Sequence, residues 1–329
     1  MRHRAWTAEL ALIAIVAVWG WTFVAVKEAI EEVPVFTFLA GRFTIAAVAF
    51  IPWILWSRRS TPSVESPPST PVRKPVVVAG IAIGALLAIG YALQTFGLAL
   101  IDSGRSGVIT GVSTALVPLG AWLILRQRVR AGEWIGVLLA LAGFALLGFG
   151  DAPLGFGDLL VFGCAVAFAG HVVALGQVAR DRPVLPLAFT QVATAAASFT
   201  ILALFVDGPG AFLEISTNAV EALLITGLVA TTLGFSVQTW AQSVSSPTRI
   251  VLIIALEPVF AIAAGVIWNG EALSLSILCG AGLVIGGMLC AELSPRAESA
   301  NSTGDDLEES KEESREAGGP SATHARSSS

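Results

Sequence analysis

The feature that most limits the fold of this chain is a succession of continuous apolar runs. Read between charges, turns and prolines, they lie at about 8–26, 34–56, 76–100, 106–125, 131–149, 157–179, 185–206, 219–243, 247–268 and 273–292. A helix rising about 1.5 Å per residue needs about 20 apolar residues to cross a hydrocarbon layer roughly 30 Å thick. Ten such runs within 329 residues, 55% of them hydrophobic and 13% charged, argue against both a soluble core and a single-anchor protein; the mean hydropathy is +0.78. Lipid offers backbone groups no partner, so a span must be a helix or part of a closed barrel, and continuous rather than alternating runs point away from a barrel. The fold class is therefore all-α, a polytopic membrane protein of ten transmembrane helices. The first run follows Arg2 and Arg4 but lacks a small-residue cleavage site, and reads as a retained span.

Charge orients the spans. With the N-terminus inside, the inner loops and ends hold thirteen basic residues, among them Arg58, Arg73, Arg126, Arg180 and Arg249, while the outer ones hold Lys27 and Arg105. That bias places both termini in the cytoplasm and favours an even number of spans, in a multi-pass protein of the cytoplasmic membrane. The net charge of −5 resides mostly in the acidic stretch 294–329, read as a disordered cytoplasmic tail. No basic patch suggests nucleic acid. The proline-rich segment 57–75 cannot form a helix through its length and reads as a solvated cytoplasmic connection. Cys164, Cys279 and Cys290 stand singly in apolar runs, with neither disulfide nor metal spacing.

The chain repeats itself. Gln94-Thr95-Phe96 matches Gln238-Thr239-Trp240, 144 residues on, and Gly136 and Gly143 match Gly280 and Gly287 at the same offset. Pro118 pairs with Pro258, and Gly20-Trp21 with Gly170-His171, in the same order along the chain. Two five-helix repeats result, 1–150 and 151–293. Five is odd, so the second enters the membrane from the opposite side. Inverted halves of this kind are frequent in secondary transporters, where they expose a central site alternately to the two sides.

These residues resemble a known family. Trp19-Gly20-Trp21-Thr22-Phe23-Val24, Phe38-Leu39-Ala40-Gly41-Arg42-Phe43, Leu116-Val117-Pro118-Leu119, Trp134-Ile135-Gly136 with Ala140-Leu141-Ala142-Gly143, and Leu256-Glu257-Pro258-Val259 with Gly270-Glu271-Ala272-Leu273 are similar to the EamA family of the drug/metabolite transporter superfamily. The resemblance implies a ten-helix inverted-repeat transporter, often an exporter of amino acids or other small metabolites, with a cavity lined by both halves. One departure is Arg126-Gln127-Arg128, where many members carry a glutamate.

Polar groups at membrane depth are costly and mark cavities or partners. Glu257 precedes Pro258, which has no N–H, and reads as a substrate contact, proton site or gate, or as a structural ion pair or helix-break stabiliser. Arg42 is its charge complement, facing the cavity or snorkelling to the interface. His171 reads as a packing residue or a cavity group, with no second ligand for a metal. Gln94 and Gln238, matched by the repeat, bond across helices or face cavity water. Thr110 shares a helix face with Ser106 and Ser113, and back-bonding to its own helix is the alternative to a cavity role. Trp19, Trp21 and Tyr91 are placed to line the cavity. Glycines spaced by four, at 80/84, 132/136 and 282/286, allow close helix approach within one chain or between protomers of a homodimer.

The glycines between 148 and 157 follow no strand and form no dinucleotide site, and neither a phosphate-binding loop nor a zinc-protease motif is present. No cofactor, metal or catalytic constellation is expected. The reading is a secondary carrier of a small metabolite working by alternating access; the alternative is a membrane-embedded enzyme or signalling protein with a docking tail.

Overall fold

A computed structural model describes residues 2–60, 73–126, 129–149, 153–180 and 182–293. The tail expectation, the sequence Gln127-Arg128 and most of the 57–75 connection fall outside the described residues. The described chain is helical throughout: α1 Arg2–Glu32, α2 Val35–Ser60, α3 Arg73–Leu98, α4 Ser103–Leu125, α5 Ala131–Leu146, α6 Phe156–Val178, α7 Val184–Leu202, α8 Thr217–Ile225, α9 Gly234–Val244, α10 Pro247–Ile254, α11 Glu257–Asn269 and α12 Leu275–Leu293. Eight continuous apolar segments of 21–29 residues are long enough to cross a membrane, and two shorter ones, Ala131–Leu146 and Leu275–Ala291, complete ten.

Two details of continuity go beyond the sequence reading. The 57–75 connection is helical at both ends, because Ser57 to Ser60 contain no proline and Pro75 falls in the first turn of α3, where a missing N–H costs nothing. The ninth span is broken: α10 stops at Ile254 and α11 starts at Glu257, whereas Pro118 sits inside an unbroken α4. The eighth span is also composite, with α8 and α9 joined by a π-helical stretch, Thr226–Leu233. There the hydroxyls of Thr231 and Thr232 donate back to the carbonyls of Thr226 and Gly227, five residues earlier, satisfying the wider turn.

Packing follows the repeat. α5 lies on α12 and α2 on α7, each pair joining counterpart helices; α3 and α4 pack on α6 as α9 and α11 pack on α1; α4 meets α11. The closest of these approaches require glycine. A Cβ on Gly107 would lie 2.2 Å from that of Ala261, and one on Gly287 would lie 2.5 Å from the Gly136 carbonyl oxygen. Gly282 and Gly286, by contrast, meet nothing within 4 Å in this chain, and the α5–α12 contact is made through Gly280 and Gly287. The bundle has two ends. The near end carries Arg4, the start of α10 and the close of α12; the far end carries the α1–α2, α3–α4 and α11–α12 turns.

Candidate functional site

At the centre of the bundle lies a cavity of about 60 Å³ between α1–α4, α6, the α8–α9 span and the α10–α11 break. Trp19, Arg42, Tyr91, Gln94, His171, Gln238 and Glu257 all line it, which brings most of the residues singled out from the sequence to one place. Glu257 faces the cavity because it stands at the first position of α11, freed by the break before Pro258.

Arg42 on α2 is 2% exposed, and its charge is held by the π-helical stretch and by α3. Its Nε donates to the Thr231 hydroxyl at 2.9 Å, its Nη2 to the Tyr91 hydroxyl at 3.3 Å, and its Cζ lies 4.7 Å from the Tyr91 ring centroid. Thr231 occupies that position because the widened turn rotates it toward α2. Gly227 makes room for the same approach, since a Cβ there would sit 3.0 Å from the Arg42 carbonyl oxygen.

Among the described residues Glu257 accepts no hydrogen bond and forms no ion pair, so it does not pair with Arg42. Gln238 is 3% exposed and its Oε1 has no donor. The cavity thus presents a supported cation on one wall and two acceptors without donors. A buried neutral acceptor in that condition, as Gln238 Oε1 is, costs of order 1–3 kcal/mol until a donor arrives, while Glu257 is half-buried at the cavity wall. Aromatic rings enclose the space: Phe168 and Phe235 stand edge-on to Tyr91 with centroids at 5.3 and 6.2 Å, and Trp19 donates its Nε1–H to the Ala230 carbonyl at 2.8 Å.

His171 serves packing and cavity at once. Its Nε2 lies 2.8 Å from Gln191 Oε1, whose amide in turn donates to Thr239, and its ring stands edge-on to Phe235. Gln94 donates to Thr110 at 3.3 Å, so Thr110 supports a cavity residue from behind without lining the cavity itself. Trp21 lies elsewhere, in a lateral groove between α1 and α8 with Glu28, Glu31 and Glu221. The turn of the helix explains this: Trp19 and Thr22 take the inward face of α1, and Trp21 points away from it. Among the described residues no group of three His, Cys, Asp or Glu could hold a metal ion.

A larger space of about 410 Å³ lies toward the near end, walled by α4, α6, α9 and α10. Val117, Ala121, Val173 and Ile250 supply apolar walls, with Arg180 and Gln177 exposed and Gln242 buried, its Oε1 without a donor. The sequence did not mark this vestibule, nor Phe168 and Phe235. A signal existed for Phe168, three residues before His171 and hence on the same helix face.

Known proteins agree with this architecture. The profile of the EamA-like transporter family matches residues 6–149 and again 155–292. An uncharacterized transporter of Archaeoglobus fulgidus is 31% identical over 255 residues, 77% of this chain and 75% of that protein. The uncharacterized transporter YoaV of Bacillus subtilis is 25% identical over 287 residues, 85% and 94% of the two chains. A solved crystal structure, 24% identical, superposes with a TM-score of 0.64 over 89% of this chain and 99% of that one, which speaks to the fold. The chain belongs to the EamA-like transporter family.

Proposed function

We propose that the protein is a secondary carrier that exports a small zwitterionic metabolite, an amino acid or a close relative, across the cytoplasmic membrane by alternating access. The observation that carries this reading is the central cavity's division of charge. Arg42 is oriented by Thr231 and Tyr91 to meet a carboxylate, while Glu257 and Gln238 Oε1 offer an ammonium group acceptors that nothing else engages. A substrate with both groups satisfies both walls, and one with neither leaves buried polar groups unmet, which is where discrimination is strongest.

A cavity of about 60 Å³ holds only a few waters. The described state therefore corresponds to a contracted centre, with the vestibule one helical turn further toward the near end, where Gln242 follows Gln238 on α9. The excess of Lys and Arg supports a cytoplasmic position for that end, the side from which an exporter takes its substrate. Residues 1–150 and 151–293 act in this scheme as the two rocking repeats.

The test is exchange in proteoliposomes, with labelled amino acids and, in parallel, uncharged sugars of similar size. Zwitterions are expected to exchange and sugars not; Glu257→Gln is expected to lower the rate at least tenfold. Sugar transport, or a wild-type rate in the Gln variant, overturns the reading. Imposing a pH gradient on the same vesicles separates proton-coupled carriage from exchange or facilitated diffusion.

A further inference from the structure

The internal repeat extends to the contacts that close each end of the bundle. Arg105 at the start of α4 and Arg249 at the start of α10 are 144 residues apart, the offset that relates Gln94 to Gln238. Each forms an ion pair with the other half of the chain. At the far end Arg105 Nε meets Asp158 Oδ1 of α6 at 2.6 Å, with side chains 10% and 2% exposed; at the near end Arg249 Nη1 meets Glu9 Oε1 of α1 at 3.1 Å, with Arg249 57% exposed. α6 and α1 are themselves counterpart spans.

A second contact reinforces the far end and has no counterpart among the described residues. The Glu271 carboxylate receives the backbone N–H groups of Ser103 and Gly104, both at 2.8 Å, at the positively polarised start of α4. Gly265 leaves room for it, since a Cβ there would lie 2.3 Å from Glu271 Oε2. The chain turns into this contact through Gly270 at φ +63°, and its counterpart Arg126 takes the same left-handed turn at φ +55°. Beyond the turn the symmetry fails in chemistry. Position 127 is Gln, and the residue in Ser103's place at the start of α10 is Pro247, which has no N–H to donate.

We infer that Arg105, Asp158 and Glu271 form a positioning latch at the far end, that Arg249 and Glu9 form its weaker counterpart at the near end, and that this inequality sets the carrier's resting state closed at the far end. The inference rests on the alternating-access reading, in which the two ends close in turn. A ligand or substitution shifts such an equilibrium only by its differential effect on the two states. The described state holds both sets of contacts at once; opening the far end breaks one set and opening the near end breaks the other. Removing the far-end contacts therefore favours far-end opening, and removing the near-end pair favours near-end opening at its expense. Opposed signs from counterpart residues are not a property of contacts that merely hold the fold.

The test uses the full-length protein in nanodiscs without substrate. Spin-label pairs at Leu100 and Leu273 for the far end, and at Trp6 and Val244 for the near end, report the distances by electron–electron resonance. Arg105→Gln and Glu271→Gln are expected to raise the far-end long-distance population at least fivefold, Arg105→Lys to retain most of the wild-type distribution, and Arg249→Gln to lower that population. Arg249 is exposed, so its variant tests the sign even where an Arg105 variant fails to fold. Distributions unchanged in Glu271→Gln, or moved in the same direction by Arg249→Gln, overturn the latch. Conditions that move neither pair in any variant, together with active exchange in vesicles, overturn alternating access by these halves instead.

Discussion

Tyr91 meets Arg42 twice, once through its hydroxyl, which accepts from Nη2 at 3.3 Å, and once through its ring, whose centroid lies 4.7 Å from the guanidinium carbon. The two contacts separate by substitution. Tyr91→Phe removes the hydroxyl and keeps the ring; Tyr91→Leu removes both. A cation over an aromatic face contributes about 0.5–2 kcal/mol, more when desolvated. Tyr91→Phe is expected to raise the apparent KM of exchange by a few fold, and Tyr91→Leu by tenfold or more. Equal effects would mean that the ring contributes nothing to holding the cation.

The other partner of Arg42 is Thr231, on the π-helical stretch. Thr231→Val is nearly isosteric but leaves Nε facing a methyl group, and an unmet donor on a buried charge costs about 1–3 kcal/mol or more. The variant is expected to lose several degrees of melting temperature in detergent and to transport poorly, while Thr231→Ser, which restores the hydroxyl, recovers both. A Val variant as stable and active as the wild type would show that Arg42 is held by Tyr91 alone.

The two glycine pairs on α12 give a stability prediction with its own control. Gly287→Ala drives a Cβ against the Gly136 carbonyl, and overpacking of this kind typically costs about 1–3 kcal/mol. Gly282→Ala meets nothing and is expected to stay within about 0.5 kcal/mol of the wild type. Thermal melts of the two variants in one detergent decide. A neutral Gly287→Ala would mean that α5 and α12 yield to the added methyl.

Much of this architecture was legible because the bilayer writes its thickness into the sequence. Ten runs appeared where ten apolar helical segments stand, and the offset of 144 that matched Gln94 to Gln238 also matches the left-handed turns at Arg126 and Gly270. Arg42, Gln94, His171, Gln238 and Glu257 were recognised because a polar group in hydrocarbon is conspicuous. What stayed hidden was rotation. A helix between an apolar core and lipid carries no polar stripe to show which face is inward, so Trp21 and Trp19 could not be told apart from the sequence. The break at Ala255-Leu256 had one sign, Pro258 two residues on, but a proline alone does not decide, since its counterpart Pro118 sits inside an unbroken α4. Nor could the sequence pair Arg42 with Thr231, 189 residues away on a stretch whose backbone departs from the regular helix.

The vestibule yields a prediction that tests orientation and access together. Gly176 lines it on α6, and Leu100, exposed at the end of α3, marks the far end. Both are read in a background where Cys164, Cys279 and Cys290 are replaced by Ser, since Cys279 and Cys290 are exposed and would otherwise react. If the near end faces the cytoplasm, a membrane-impermeant maleimide is expected to label Gly176→Cys in inside-out vesicles and not in right-side-out ones, with Leu100→Cys showing the reverse. Vesicle sidedness then fixes the topology through two residues of one chain. Labelling of Gly176→Cys from the outer face would reverse the direction assigned to the vestibule and, with it, the case for export; failure to label from either face would close the vestibule to water and leave the central cavity without its near-end route.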